Sequence, residues 1–163
     1  MTRTCKATTR GPPPPYDREV SESPVAVVIE DQLDLRELTQ IMLVQSGFEV
    51  VTAADGPAGI QAVREHNPVL TTLDVNMPGM DGYTVARHLR EFSRTYIIMV
   101  TGQAGDADVQ KAFEAGADDY LVKPFGMRDL RERAAAVLHR SHLSEDATAP
   151  PGVSVASPGV NGL

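Results

Sequence analysis

The chain has 163 residues, a net charge of −7 and a pI near 5.0. That length suits one domain with a core and some tail, and the acidic balance argues against non-specific attraction to nucleic acid. The single cysteine, Cys5, excludes an intrachain disulfide and fits a reducing compartment.

The apolar runs are short, such as Val25–Ile29, whereas a bilayer-spanning helix needs roughly 20 residues. Basic residues near the start have no apolar stretch behind them, so they do not read as a secretory signal. No membrane association is expected, and the expected location is the cytoplasm. Residues 1–23 are rich in Thr, Arg and Pro and contain the run Pro12 to Pro15. Such a run favours extended polyproline conformation and cannot enter a helix or central strand. A disordered Pro-rich N-terminal tail is expected there.

From Pro24 the pattern alternates. Val25–Ile29 is a short β-branched strand. Asp34–Gln45 places Leu35, Leu38, Ile41 and Met42 at helical spacing, and Gly47 stops it. Phe48–Ala53 is the second strand. Asp55 caps the next helix, which turns Ile60 and Val63 inward and ends at Asn67-Pro68. Val69–Leu73 is the third strand and Tyr83–Phe92 the third helix. Tyr96–Val100, almost wholly apolar, suits a central parallel strand. Ala107–Ala115 puts Val109, Ala112 and Phe113 on one helix face, and Gly116 closes it. Asp119–Val122 is the fifth strand. Met127–Arg140 is the last helix, with Leu130, Ala134, Val137 and Leu138 inward. Residues 141–163, with Pro150, Pro151 and Pro158, read as a disordered C-terminal tail. The domain expected between the tails spans residues 24–140.

Strict alternation of five strands and five helices implies an α/β flavodoxin-like (βα)5 fold, a doubly wound parallel sheet in the order 2-1-3-4-5. In such sheets ligands bind outside the carboxyl ends of the strands, where strand order reverses. That switch point lies between strands 1 and 3, which end in Glu30-Asp31 and Asp74. The fifth strand ends at Lys123-Pro124. Three carboxylates at one edge repel each other and call for a counter-charge; Mg²⁺, a hard cation with oxygen ligands, supplies it. An Asp can attack phosphorus to give an acyl phosphate, and phosphoryl transfer otherwise needs positioning and charge neutralisation. Helix caps or exposed loop acids would explain Asp31 or Asp74 singly, but not their joint placement with Lys123.

The chain resembles receiver domains of two-component response regulators over about residues 24–140. The matching pieces are Glu30-Asp31, Asp74 with Met77-Pro78-Gly79-Met80-Asp81-Gly82, Val100-Thr101, Gly116-Ala117-Asp118-Asp119-Tyr120 and Lys123-Pro124-Phe125. The resemblance implies that Asp74 is the phosphoacceptor. It also implies that Asp31, Asp74 and the backbone carbonyl of Asn76 ligate Mg²⁺, with Glu30 holding a metal-bound water. Lys123 and Thr101 would stabilise the phosphoryl group, and the Lys123–Pro124 peptide should be cis. Thr101 and Tyr120 match the family's switch pair; the ring of Tyr120 would turn from solvent toward the core. Asn76 and Gln103 would tune hydrolysis. Such a receiver is a signalling switch rather than an enzyme acting on an external substrate, and its partner is a sensor histidine kinase.

Within the family, the stretch from Lys123 to Arg133 looks like receivers of winged-helix transcription factors. Glu114, Asp118, Asp119, Asp129 and Arg133 match the charges of a dimer face built from the fourth helix, fifth strand and fifth helix. The fourth helix departs: Val109 replaces the usual arginine and Gly105 the usual lysine, which would leave Val109 as an exposed apolar contact. Two readings stand. One is a stand-alone receiver that signals by protein contact or dimerisation, without binding nucleic acid itself. The other is the receiver part of a DNA-binding transcription factor whose output domain is absent. A haloacid-type phosphatase would need an acid two residues after Asp74, where Asn76 stands. A flavin-binding fold would need a hydroxyl-rich loop where Glu30-Asp31-Gln32 stands.

Overall fold

A computed structural model describes residues 23–146, and the expected Pro-rich tail and the last part of the C-terminal tail lie outside them. The elements are β1 (Val25–Ile29), α1 (Leu33–Gln45), β2 (Glu49–Ala53), α2 (Gly56–His66), β3 (Leu70–Asp74), α3 (Gly82–Phe92), β4 (Tyr96–Thr101), α4 (Asp106–Ala115), β5 (Asp119–Val122) and α5 (Met127–Asp146). The five strands form one parallel sheet in the order β2-β1-β3-β4-β5. Because all strands run the same way, every carboxyl end opens on one edge. The register sets Ile29 beside Leu73 and Asp74 beside Val100.

Alternating strand residues feed two cores, as expected of a sheet buried on both faces. Val27, Ile29, Leu73, Ile97 and Met99 pack with α2, α3 and α4. Ala26, Val28, Leu70, Ile98 and Val100 pack with α1 and α5. The turns carry recognisable caps. Asp55 accepts from the Ala58 N–H at 2.8 Å, and Asp81 from the Thr84 N–H at 2.8 Å. Asn67, at φ 43°, ends α2 in the left-handed region just before Pro68.

Two helix faces differ from expectation. In α1 the inward residues are Thr39, Met42 and Leu43, while Leu38 is 43% and Ile41 52% exposed. One position along a helix turns the side chain by about 100°, so the apolar set Leu35-Leu38-Ile41-Met42 is only half inward. In α4 the inward stripe is Val109, Ala112 and Ala115, and Phe113 is exposed. Val109 therefore packs on the core and is not the exposed contact anticipated. The last helix also runs on to Asp146, past the boundary expected at Arg140. Among the described residues, no helix is long and apolar enough to cross a membrane.

Candidate functional site

The parallel topology gathers the loops after β1, β3 and β5 at one edge of the sheet. Glu30 and Asp31 follow β1, Asp74 ends β3, and Lys123 follows β5. Glu30, Asp31 and Asp74 each offer one carboxylate oxygen within 4.8 Å of the others. Lys123 Nζ donates to Glu30 Oε2 at 3.1 Å and to Asp74 Oδ1 at 3.2 Å. The Lys123–Pro124 peptide is cis. Asp74 is 3% exposed and Glu30 5%, so both carboxylates stand almost wholly out of water.

Burial decides the electrostatics. It raises the Asp74 pKa above the ordinary carboxylate value, against the opposing charge and hydrogen bond of Lys123, and the close Asp31 side chain adds to the rise. Glu30 is raised likewise, by burial first and then by the charge of Asp74. For Lys123, burial would lower the pKa; the hydrogen bond to Glu30 and the charges of Asp74 and Glu30 outweigh it, and the net shift is upward. One ammonium thus faces more negative charge than it can neutralise.

A cation fits that deficit. Asp31 Oδ1 is buried and has no hydrogen-bond partner, an arrangement that costs free energy unless something satisfies it. The donors are all carboxylate oxygens, the set that suits a hard divalent ion rather than a soft one. Asn76 lies in the loop leaving Asp74. Its N–H reaches Asp74 Oδ1 at 3.4 Å, and the residue is exposed. That loop is drawn tight: the Gly82 N–H donates to the Val75 carbonyl at 2.9 Å. A Cβ on Gly82 would lie 2.3 Å from the Asp74 carbonyl oxygen. Met77 and Met99 are buried packing residues.

Thr101 and Tyr120 end up joined through one peptide. The Gln103 N–H donates to Thr101 Oγ1 at 3.2 Å, and the Tyr120 hydroxyl donates to the Gln103 carbonyl. Thr101 is fully buried and the Tyr120 ring is inward, at 9% exposure. The ring therefore already occupies the core position toward which it was expected to turn. The Gln103 side chain is exposed at the rim.

The charges expected on a dimer face are engaged within the chain. Asp119 pairs with Arg133 at 3.0 Å. Asp129 Oδ2 accepts from the Gly126 N–H at 3.0 Å, at the start of α5. Glu114 accepts from Gln110 at 2.9 Å. Asp118 is turned to the other end of the sheet, where Oδ2 accepts from Arg90 at 2.5 Å and from the Ile97 N–H at 2.8 Å.

Two arginines were not singled out from the sequence. Arg36 donates to the Glu30 carbonyl at 2.8 Å and so fixes the backbone of the acidic loop. Its place about one helical turn beyond Glu30-Asp31 was the available signal. Arg90 braces α3, β4 and the α4–β5 turn through Gly116, Thr95 and Asp118; only the fold brings those partners together.

The residue profile of the response regulator receiver domain family matches residues 26–135. The transcriptional regulatory protein AfsQ1 of Streptomyces coelicolor is 42% identical over 117 residues, which is 72% of this chain and 52% of AfsQ1. CseB of Streptomyces avermitilis, also a transcriptional regulatory protein, is 38% identical over 141 residues, covering 82% of this chain and 60% of CseB. The chain thus spans about half to three-fifths of the length of these relatives. Among solved structures, a putative response regulator from Chloroflexus aurantiacus superposes with a TM-score of 0.68 at 32% identity, covering 73% of this chain and 100% of that one. The chemotaxis response regulator CheY4 of Vibrio cholerae gives 0.67 at 29% identity, covering 71% and 98%.

Proposed function

We propose a mechanism from one premise: the chain belongs to the response regulator receiver domain family. Asp74 is the phosphoacceptor. One of its carboxylate oxygens attacks the phosphorus of a phosphohistidine on a sensor kinase, or of a small acyl phosphate. A P–O bond to Asp74 forms as the bond from phosphorus to the donor breaks, and the leaving group departs with that electron pair. The observation that carries this reading is the buried Asp74 carboxylate at a strand end, with the Lys123 ammonium 3.2 Å away. Lys123 neutralises charge on the phosphoryl oxygens, and Thr101, at the end of the neighbouring strand, donates its hydroxyl to one of them.

Asp31, Asp74 and the Asn76 carbonyl would hold Mg²⁺, and Glu30 would contribute through a water. The unsatisfied Asp31 Oδ1 supports this assignment. When bound, Mg²⁺ supplies the positive charge that the acidic cluster lacks and that phosphoryl transfer needs. Asn76 and Gln103, exposed at the rim, govern access of the water that hydrolyses the acyl phosphate. The chain is then a switch that gains and loses its own phosphoryl group in the cytoplasm, and it transforms no external substrate.

Phosphorylation adds nearly two negative charges and three acceptor oxygens. The response passes through Thr101, Gln103 and Tyr120 to the face formed by α4, β5 and α5. There it favours a downstream protein or a second copy. A second reading of the output, the receiver part of a DNA-binding transcription factor, is consistent with the names of AfsQ1 and CseB as transcriptional regulatory proteins. Incubation with Mg²⁺ and acetyl phosphate, followed by intact mass, tests the shared core of both readings. Addition of one phosphoryl group, abolished by EDTA, is expected; no addition at any Mg²⁺ concentration refutes it.

A further inference from the structure

α4 is thinly anchored. Only Ala112 and Ala115 are fully buried in it, and its N-cap, Gly105, makes no side-chain cap. Arg90 of α3 holds the C-cap of α4 through the Gly116 carbonyl, and nearer the middle of the helix Lys111 Nζ stands 4.3 Å from the centroid of the Tyr83 ring. A cation over an aromatic face at this distance is an attractive contact. Tyr83 itself is firmly held. It is buried in the core it shares with Tyr120, and it follows Gly82, whose backbone is pressed against the Asp74 carbonyl.

We propose that Lys111 on the Tyr83 ring is a latch coupling the Asp74 loop to α4, a route separate from Thr101–Gln103–Tyr120. The coupling rests on the reading of Asp74 as phosphoacceptor. A shift of the loop from Asp74 to Gly82 passes to the first turn of α3, because Gly82 packs its backbone on the Asp74 carbonyl and donates to the Val75 carbonyl at 2.9 Å. Tyr83 sits in that turn and carries the ammonium of α4. The core anchors of α4 are Val109, Ala112 and Ala115, so the contact at Lys111 adds to a short buried stripe.

The full chain is followed by amide hydrogen exchange with Mg²⁺, with and without acetyl phosphate, while intact mass reports phosphorylation separately. Lys111→Met should be phosphorylated as the parent is. Its α4 amides should exchange about two- to five-fold faster, the population change equivalent to losing a partly exposed cation–π contact. The phosphodonor-induced change in α4 should shrink. Lys111→Arg should restore both readings. In a Tyr83→Leu background, Lys111→Met should add nothing further to the α4 exchange. Parent-like α4 exchange in Lys111→Met, or full additivity of the two substitutions, overturns the latch. If the parent chain takes no phosphoryl group, the phosphoacceptor reading and the coupling fall together. Exchange without phosphodonor then still shows whether Lys111 holds α4.

Discussion

Lys123 Nζ lies 3.2 Å from Asp74 Oδ1, with the Asp74 side chain 3% and the Lys123 side chain 20% exposed. The pair sits where β3 and β5 deliver their ends to one edge of the sheet, and Glu30 shares the same ammonium at 3.1 Å. An ion pair this far from water matters less for its attraction than for what remains when one partner is removed.

Lys123→Met leaves Glu30 and Asp74 buried without their counter-charge. The expected destabilisation is about 3 kcal/mol, typical of breaking a buried pair from one side. Urea unfolding at pH 7 in EDTA measures it. The labelling rate by acetyl phosphate should also drop, by roughly 100-fold if Lys123 acts as a preorganised electrostatic group. An unchanged unfolding midpoint contradicts the account of the pair.

Asp74→Asn should act in the opposite sense. The folded-state pKa of Asp74 is raised by burial, against Lys123 and with Asp31 adding to the rise. A raised carboxylate pKa means that the folded state holds its proton more tightly than the unfolded state. Stability from this group is full below the unfolded pKa and is lost as pH rises through the folded one. Without metal, Asp74→Asn should therefore melt higher than the parent at pH 7, and its stability should fall less as pH rises through the carboxylate range. Melting curves from pH 4 to pH 8 in EDTA decide this. A variant that melts lower at pH 7 would contradict the sign of the shift.

Much of this site was legible because parallel strands deliver consecutive loops to one edge, so acids at the ends of β1 and β3 and a lysine after β5 had to meet. The strands were legible as short runs rich in β-branched residues, Val25–Ile29 and Tyr96–Val100 above all; β3 carries the buried polar residues Thr71, Thr72 and Asp74 within its run. Helix faces were less so. In α1, Leu38 and Ile41 fit a helical period as well as Thr39 and Leu43 do, and only the sheet beneath selects between them. The dimer-face charges failed to reveal their neighbours for the same reason. Asp118 and Asp119 are adjacent in sequence, yet one meets Arg90 from α3 and the other Arg133 from α5.

Gly82→Ala tests the tightness of the loop after Asp74. The added Cβ would lie 2.3 Å from the Asp74 carbonyl oxygen and 2.8 Å from Val75 Cα. Both are backbone atoms, so the chain itself must shift. A cost of about 1–3 kcal/mol is expected from such overpacking, together with slower labelling of Asp74. Parent-like stability and labelling would show that the loop has slack.

Thr72→Val probes the sheet interior. Thr72 is buried in β3, and its Oγ1 has no hydrogen-bond partner. Valine keeps the branched shape and removes the orphaned hydroxyl. The variant should be more stable by about 1 kcal/mol, the usual scale of an unsatisfied buried polar group. Equal or lower stability by urea unfolding would mean that Oγ1 is satisfied in solution, for instance by a buried water.

On the proposed mechanism Asp74, and no other carboxylate of the cluster, receives the phosphoryl group. The direct measurement is reductive trapping. After incubation with Mg²⁺ and acetyl phosphate, borohydride converts an aspartyl phosphate to homoserine, and peptide sequencing by mass spectrometry locates it. Homoserine is expected at position 74 in the parent chain and nowhere in Asp74→Asn. Homoserine at Asp31 or elsewhere in the parent, or equal labelling of Asp74→Asn, would contradict it.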